Sequence, residues 1–127
     1  MDLLLDTHTV LWVLSDDDKL SAKAKSEILS PDNNKYVSLT SAWEVAIKVN
    51  LDRLSFEGGA ARFLYQIEKD RFKLLPICAE HIVRVETLPL HHKDPFDRLI
   101  VATAVVEGMA IVTTDANIHL YDIECIW

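Results

Sequence analysis

Four carboxylates stand out in this chain because each occupies the same kind of place. Asp6 follows the apolar run DLLL, Glu44 follows KYVSL by a few residues, Asp97 lies in the charged stretch ahead of LIVATA, and Asp115 ends MAIVTT. If those runs are strands of a parallel sheet, their carboxyl ends share one edge and the four acids share one cleft. Crowded carboxylates repel one another and take up protons unless a cation offsets them. Oxygen donors without paired Cys or well-spaced His favour Mg²⁺ or Mn²⁺ over Zn²⁺. One or two such ions can activate water against a phosphodiester and stabilise the attacking and leaving oxygens. Each acid also has a plainer reading: Asp6 as the cap of the following helix, and Glu44 in the capping-box position three residues after Ser41.

The elements that must position these acids follow from pattern and punctuation. DLLL reads as a buried central strand and TVLWVLS as a short helix burying Val10, Leu11 and Leu14. Ser21 caps a helix that ends near Pro31, KYVSL is the second strand, and Thr40 or Ser41 caps the helix SAWEVAIKVNLDRL. Glu57 to Asp70 is amphipathic, with Phe63, Leu64 and Ile67 inward, and is expected to form a hairpin with the preceding helix that projects from the sheet. RFKLLP alternates as a strand, and Ala79 to Leu88 reads as a short helix. Asp94, with Pro95 behind it, is the expected N-cap of a largely buried helix that Gly108 stops. MAIVTT is then a strand, Asn117 to Tyr121 a helical turn, and Ile123 to Ile126 an edge strand. The expectation is an α/β fold, a three-layer α/β/α sandwich with a central, mainly parallel sheet of four to five strands, in a single domain over residues 1–127.

Composition narrows the chemistry. The net charge is −7, and every Lys and Arg lies between Lys19 and Arg98, which opposes broad electrostatic attraction to nucleic acid or anionic membrane. Arg53, Arg62, Lys69, Arg71 and Lys73 are interleaved with acids and read as a solvated face, with a basic rim for RNA as the alternative. Lys48, one turn beyond Glu44, is placed either to pair with it or to reach toward phosphate. Cys78 and Cys125 fit no metal spacing and read as reduced core residues of a cytoplasmic protein; no signal peptide or membrane span is expected. Asp16, Asp17 and Asp18 lack the spacing of a calcium loop. His91 and His92 read as surface loop residues, because adjacent histidines point in different directions. No Gly-rich phosphate loop occurs.

The segments LLLDTH, TSAWEVAIK, DPFDRLIVATA and IVTTD, in this order and spanning nearly the whole chain, resemble a PIN domain, and specifically the VapC-like toxins of bacterial type II toxin-antitoxin pairs. DPFDRLI is the most specific of them. The resemblance implies a Mg²⁺- or Mn²⁺-dependent endoribonuclease that hydrolyses RNA phosphodiester bonds by metal-activated water, inhibited by a small VapB-like antitoxin and commonly a homodimer. By motif position Asp6, Glu44, Asp97 and Asp115 match the family's acidic residues. Thr7 and Thr113 match neighbouring polar positions suited to orienting ligands or waters. Asp94 competes with Asp97 for the third acid and is assigned mainly to capping. Arg98 is placed either to contact phosphate or to pair with an acid.

Three other readings stand beside this one. A PIN-like module that binds metal or a partner without catalysis needs the same acids. An aspartyl-nucleophile phosphatase built on Asp6 wants a second acid two residues on, where His8 stands. A receiver-like regulator wants an acidic pair after the first strand and a late Lys, and there is no Lys after Lys93.

Overall fold

Leu3, Leu4 and Leu5 are completely buried, and the way they alternate decides the layering. A computed structural model describes residues 1–127. In strand β1 (Asp2–Leu5) successive side chains point to opposite faces. Leu3 and Leu5 enter one core with Val10, Val45, Phe63 and Ile67, whereas Leu4 enters another with Ile100, Val101 and Ala104. Full burial of each leucine contributes about 1.5–3 kcal/mol. Both faces of the strand are therefore covered, as a parallel sheet requires.

Along the chain β1 is followed by α1 (Thr7–Ser15), α2 (Ala22–Leu29), β2 (Asn34–Ser38), α3 (Leu39–Asn50), α4 (Gly59–Lys69) and β3 (Lys73–Leu75). Then come α5 (Ala79–Val85), α6 (Pro95–Glu107), β4 (Ala110–Val112), a single 3-10 turn at Ile118–Leu120, and β5 (Cys125–Ile126). The five strands lie in the order β3-β2-β1-β4-β5, and every pairing is parallel. Chain order runs outward from β1 through β2 to β3, then returns to the other side of β1 as β4. Such a reversal opens a crevice at the carboxyl ends of β1 and β4, where α/β sheets place their sites.

Local chemistry sets the helix ends. Asp94 Oδ1 accepts the N–H groups of Phe96 and Asp97, Pro95 follows as the first helical residue, and Gly108 closes α6 in the left-handed region at φ 67°. Two expectations need correction. Helix α3 begins earlier than the Thr40 or Ser41 cap implies: Ser38 is the cap, its hydroxyl accepting Thr40 N–H at 3.0 Å. Glu44 thus sits inside α3 and not in a capping box. The α3–α4 hairpin does not project; Phe63 and Ile67 of α4 are buried in the same core as Leu3 and Leu5, because their apolar stripe has no better place to leave water.

Both cysteines are free. Cys78 departs from the expected core position, since it is exposed at the start of α5, whereas Cys125 is half-buried in β5. No helix is long and apolar enough to cross a membrane.

Candidate metal centre

Asp6 leaves β1 as the N-cap of α1, and both of its carboxylate oxygens are engaged. Oδ1 accepts Thr9 N–H at 2.9 Å, and Oδ2 accepts a short hydrogen bond from the Thr113 hydroxyl. Thr113 Oγ1 in turn accepts the N–H of Asp115 at 3.0 Å. One hydroxyl thus ties the acid after β1 to the acid after β4. Capping and site placement are not alternatives for Asp6; the same carboxylate does the first and is held at the sheet edge by it.

Glu44 is buried on α3. Its Oε1 accepts the Thr7 hydroxyl at 2.6 Å, Thr7 also lies 2.9 Å from the Ser41 hydroxyl, and Oε2 pairs with Lys48 one turn on. Partial burial would lower the Lys48 pKa, but the hydrogen bond and charge of Glu44, with Asp94 and Asp97 nearby, outweigh it and hold the ammonium above its ordinary range. Lys48 is the local counter-charge to the acids, and it takes the pairing role of its two sequence alternatives.

Asp97 shows how crowded the site is. Burial, then the negative charges of Asp94 and Glu44, push its pKa up to about 7; His92 opposes them, and Asp6 adds to the rise. Asp115 behaves in the opposite way. Burial alone would raise it, yet hydrogen bonds from His92 and from the backbone N–H groups of Asn117 and Ile118 hold it below the usual carboxylate range. The cleft contains one carboxyl inclined to keep its proton and one inclined to lose it.

His92 is the residue that sequence reasoning missed. Its Nε2 lies 3.0 Å from Asp115 Oδ2 and 3.2 Å from Asp97 Oδ2, while Nδ1 accepts the N–H of Asp94 at 3.0 Å. It is not a surface loop residue. A ring nitrogen that accepts a backbone N–H carries no proton, so the proton of the neutral ring is on Nε2, facing the two carboxylates. Ligation of a metal through Nε2 would shift that proton to Nδ1 and set it against the Asp94 N–H. His92 is built as a donor to the acids, which leaves oxygen as the ligand chemistry.

Arg98 also departs from expectation. Its guanidinium meets neither acid nor open phosphate space; it donates to the carbonyls of Val85, Pro89 and His92 and to the Tyr121 hydroxyl. Its five donors suit a loop rich in unpaired carbonyls. By holding that loop it sets the position of His92, whose N–H also bonds Tyr121 at 3.1 Å.

The structure therefore gathers Asp6, Glu44, Asp97 and Asp115 with Asp94 at one sheet edge, keeps Thr7 and Thr113 as hydroxyl partners of Glu44 and Asp6, and moves Arg98 behind the site. Carboxylate oxygens of Asp97 and Asp115 and Nε2 of His92 all lie within 4.8 Å of one another. The carboxylate oxygens of this cluster, with the excess negative charge around them, fit a hard divalent cation.

The PIN domain family model matches residues 3–124. This chain belongs to the PIN domain family. No curated protein is matched by sequence. Among solved structures, the fold of this PIN domain is similar to VapBC2 from Rickettsia felis bound to a promoter DNA fragment, at 15% identity and TM-score 0.71, covering 98% of this chain and 97% of that one. It is also similar to DNA-bound VapBC from Salmonella typhimurium, at 15% identity and TM-score 0.68, over 98% and 96% of the two chains. VapBC-1 from nontypeable Haemophilus influenzae matches at 16% identity and TM-score 0.66, with the same coverage. These likenesses establish the PIN fold and its parallel sheet.

Proposed function

We propose that this PIN domain is a Mg²⁺- or Mn²⁺-dependent endoribonuclease, the VapC-like toxin of a type II toxin-antitoxin pair. The observation that carries the reading is Asp97, a carboxyl raised to about 7 by burial and by the acids around it. A protein that crowds several carboxylates into one crevice gives up stability unless a cation joins them.

In this reading Asp6, Glu44, Asp97 and Asp115 are the acidic residues of the site, with Asp97 and Asp115 offering the most accessible oxygens. A divalent cation held there supplies Lewis acidity toward a phosphodiester and lowers the pKa of water. The chain's own residues do the rest. Thr113 and the Thr9 N–H hold the Asp6 carboxylate, Thr7 holds Glu44, and His92 N–H spans Asp97 and Asp115. Fixed oxygens lower the reorganisation needed when negative charge grows on the reacting phosphate. RNA is the substrate of this reading, a VapB-like antitoxin its partner, and a homodimer its assembly.

The test incubates purified protein, freed of any partner, with total RNA and Mg²⁺ or Mn²⁺, beside EDTA and an Asp97→Asn variant. Discrete fragments that require both metal and Asp97 are expected. Persistent cleavage by Asp97→Asn, or intact RNA in every lane, overturns the proposal. A second reading, a PIN-like module that binds metal or a partner without catalysis, draws on His92, whose N–H already satisfies two of the acids. Intact RNA with calorimetric Mn²⁺ binding would select it.

A further inference from the structure

The basic residues of the α4–β3 region, read from sequence as a solvated face or a basic rim for RNA, divide into two groups in the structure. Arg62 belongs to the solvated face: it lies 3.6 Å from Glu57, and both side chains are exposed. Arg71 and Lys73 do not join it. With Lys35 they wall a cleft of about 320 Å³ at the amino ends of β2 and β3, and the three are in no salt bridge. The acid crevice opens at the opposite, carboxyl edge, on the order of 13 Å away along the chain from Asp2 to Asp6.

What holds these cations leaves their charge free. Lys35 Nζ sits 4.5 Å from the centroid of the Phe72 ring, and Lys73 Nζ 5.5 Å from that of Tyr36. Ring faces steady an ammonium without neutralising it. Lys73 also donates to Asn34 Oδ1 at 3.2 Å, and the Asn34 amide occupies Asp2 by donating to its Oδ1 at 2.9 Å. Arg71 follows α4 in the left-handed region at φ 64°, a place where glycine is at ease; a guanidinium stands there instead, on the rim of the cleft. Asp70 is the one acid in the walls. Of the acids beyond them, Glu27 already accepts from the Asn33 amide, and Asp32 is exposed.

We propose that this cleft is a phosphate anchor for RNA, gripping the backbone at a nucleotide remote from the bond to be cut. This rests on the ribonuclease reading and adds to it a second point of contact. Phosphate oxygens are bound by Arg, Lys, Ser and Asn side chains, and Lys35, Arg71 and Lys73 stand here with Ser30 and Asn34. An acidic peptide would offer the same charge, but the centre of a protein interface is apolar, and the only large apolar side chain exposed in these walls is Leu29. The position also suits a chain of net charge −7. A polyanion is repelled by acids at one edge, and cations set away from them hold it where that repulsion is weaker.

The test uses the full chain carrying Asp97→Asn, so that RNA is not consumed, with Mg²⁺ and a fluorescein-labelled RNA hairpin read by anisotropy across a salt series. Arg71→Gln and Lys73→Gln each remove one charge from the cleft, and Arg62→Gln removes one from the solvated face. A triple variant, Lys35→Gln with Arg71→Gln and Lys73→Gln, strips the cleft of cations. We expect the triple variant to weaken hairpin binding by about ten-fold at low salt and to flatten the slope of log K against log salt by roughly two to three. Each single cleft variant should flatten it by about one, and Arg62→Gln should leave it unchanged. Should the triple variant fail to fold by circular dichroism, the single variants decide by the same comparison. Equal losses for Arg62→Gln and Arg71→Gln would reduce the effect to net charge and overturn the anchor, as would unchanged binding by the cleft variants or no binding by the parent. Poly-glutamate bound by the parent as tightly as the hairpin would assign the cleft to an acidic peptide and overturn it too. Cleavage of the hairpin by the protein with Asp97 intact separates the two ideas. Cleavage without a cleft effect sinks the anchor alone, and cleft-dependent binding without cleavage sinks the ribonuclease reading alone.

Discussion

Nε2 of His92 reaches Oδ2 of Asp115 at 3.0 Å. The same proton faces Asp97 Oδ2 at 3.2 Å, so one imidazole N–H offsets part of the repulsion between two carboxylates. A cation between those oxygens does the same work more strongly. His92→Ala is therefore expected to lower stability by about 1–3 kcal/mol in EDTA, with a much smaller loss in saturating Mg²⁺. Urea unfolding with and without the ion measures the difference; equal losses in both would mean that the ring only fills space.

The raised pKa of Asp97 makes a signed statement about pH. The unfolded carboxyl ionises at roughly 4, while the folded one holds its proton to about 7. Between those values the native state binds more protons than the unfolded state, so metal-free stability falls as pH rises through this window. Asp115, held below the ordinary range, has the opposite sign: its contribution is present above the usual carboxylate pKa and is lost as pH falls through its lowered value. Thermal melts in EDTA from pH 4 to pH 8 are expected to show a decline that Asp97→Asn flattens.

Asp6 combines two tasks that substitutions can separate. Asn keeps an acceptor for Thr9 N–H, whereas Ala removes it. Asp6→Ala is expected to be less stable than Asp6→Asn by about 0.5–2 kcal/mol, the worth of an N-cap. On the proposed reading neither variant cleaves RNA. Denaturant midpoints and a gel assay on the same preparations check both halves, and an active Asp6→Asn protein would confine Asp6 to capping.

Arg98 binds four backbone carbonyls and the Tyr121 hydroxyl from one planar group. Lysine retains the charge but cannot span those acceptors. Arg98→Lys is expected to cost about 1–3 kcal/mol of stability through part-buried carbonyls left without their donor. It should also loosen His92, seen as a shift of the imidazole resonances in proton NMR. Unchanged stability would show that the loop holds itself.

Much of this was legible because the chemistry is local. The apolar runs ending at Asp6 and Asp115, the Asp94-Pro95 cap and Gly108 each announce an element within a few residues, and parallel strands then bring their carboxyl ends to one edge. The parts that were not legible depend on distant partners. Ser38, Thr40 and Ser41 are all competent caps in sequence, and only the register of β2 against β1 selects Ser38; the Thr40 hydroxyl is left buried without a partner. His92 gains its place through Arg98 and Tyr121, the latter 29 residues away, and no motif around His91-His92 encodes that path. Cys78 looked like a core residue by type, but its position at the head of α5 leaves it in solvent.

The link from Thr113 to Asp6 spans 107 residues, and this has a consequence for how the protein is born. Synthesis runs from the N-terminus, so Asp6 and Glu44 emerge from the ribosome long before the segment that carries Thr113 and Asp115. A nascent chain stalled before Thr113 lacks one side of the crevice, and the acidic centre can close only after Thr113 and Asp115 have left the ribosome. Any activity that depends on that centre is withheld from the machine making it until those two residues have emerged.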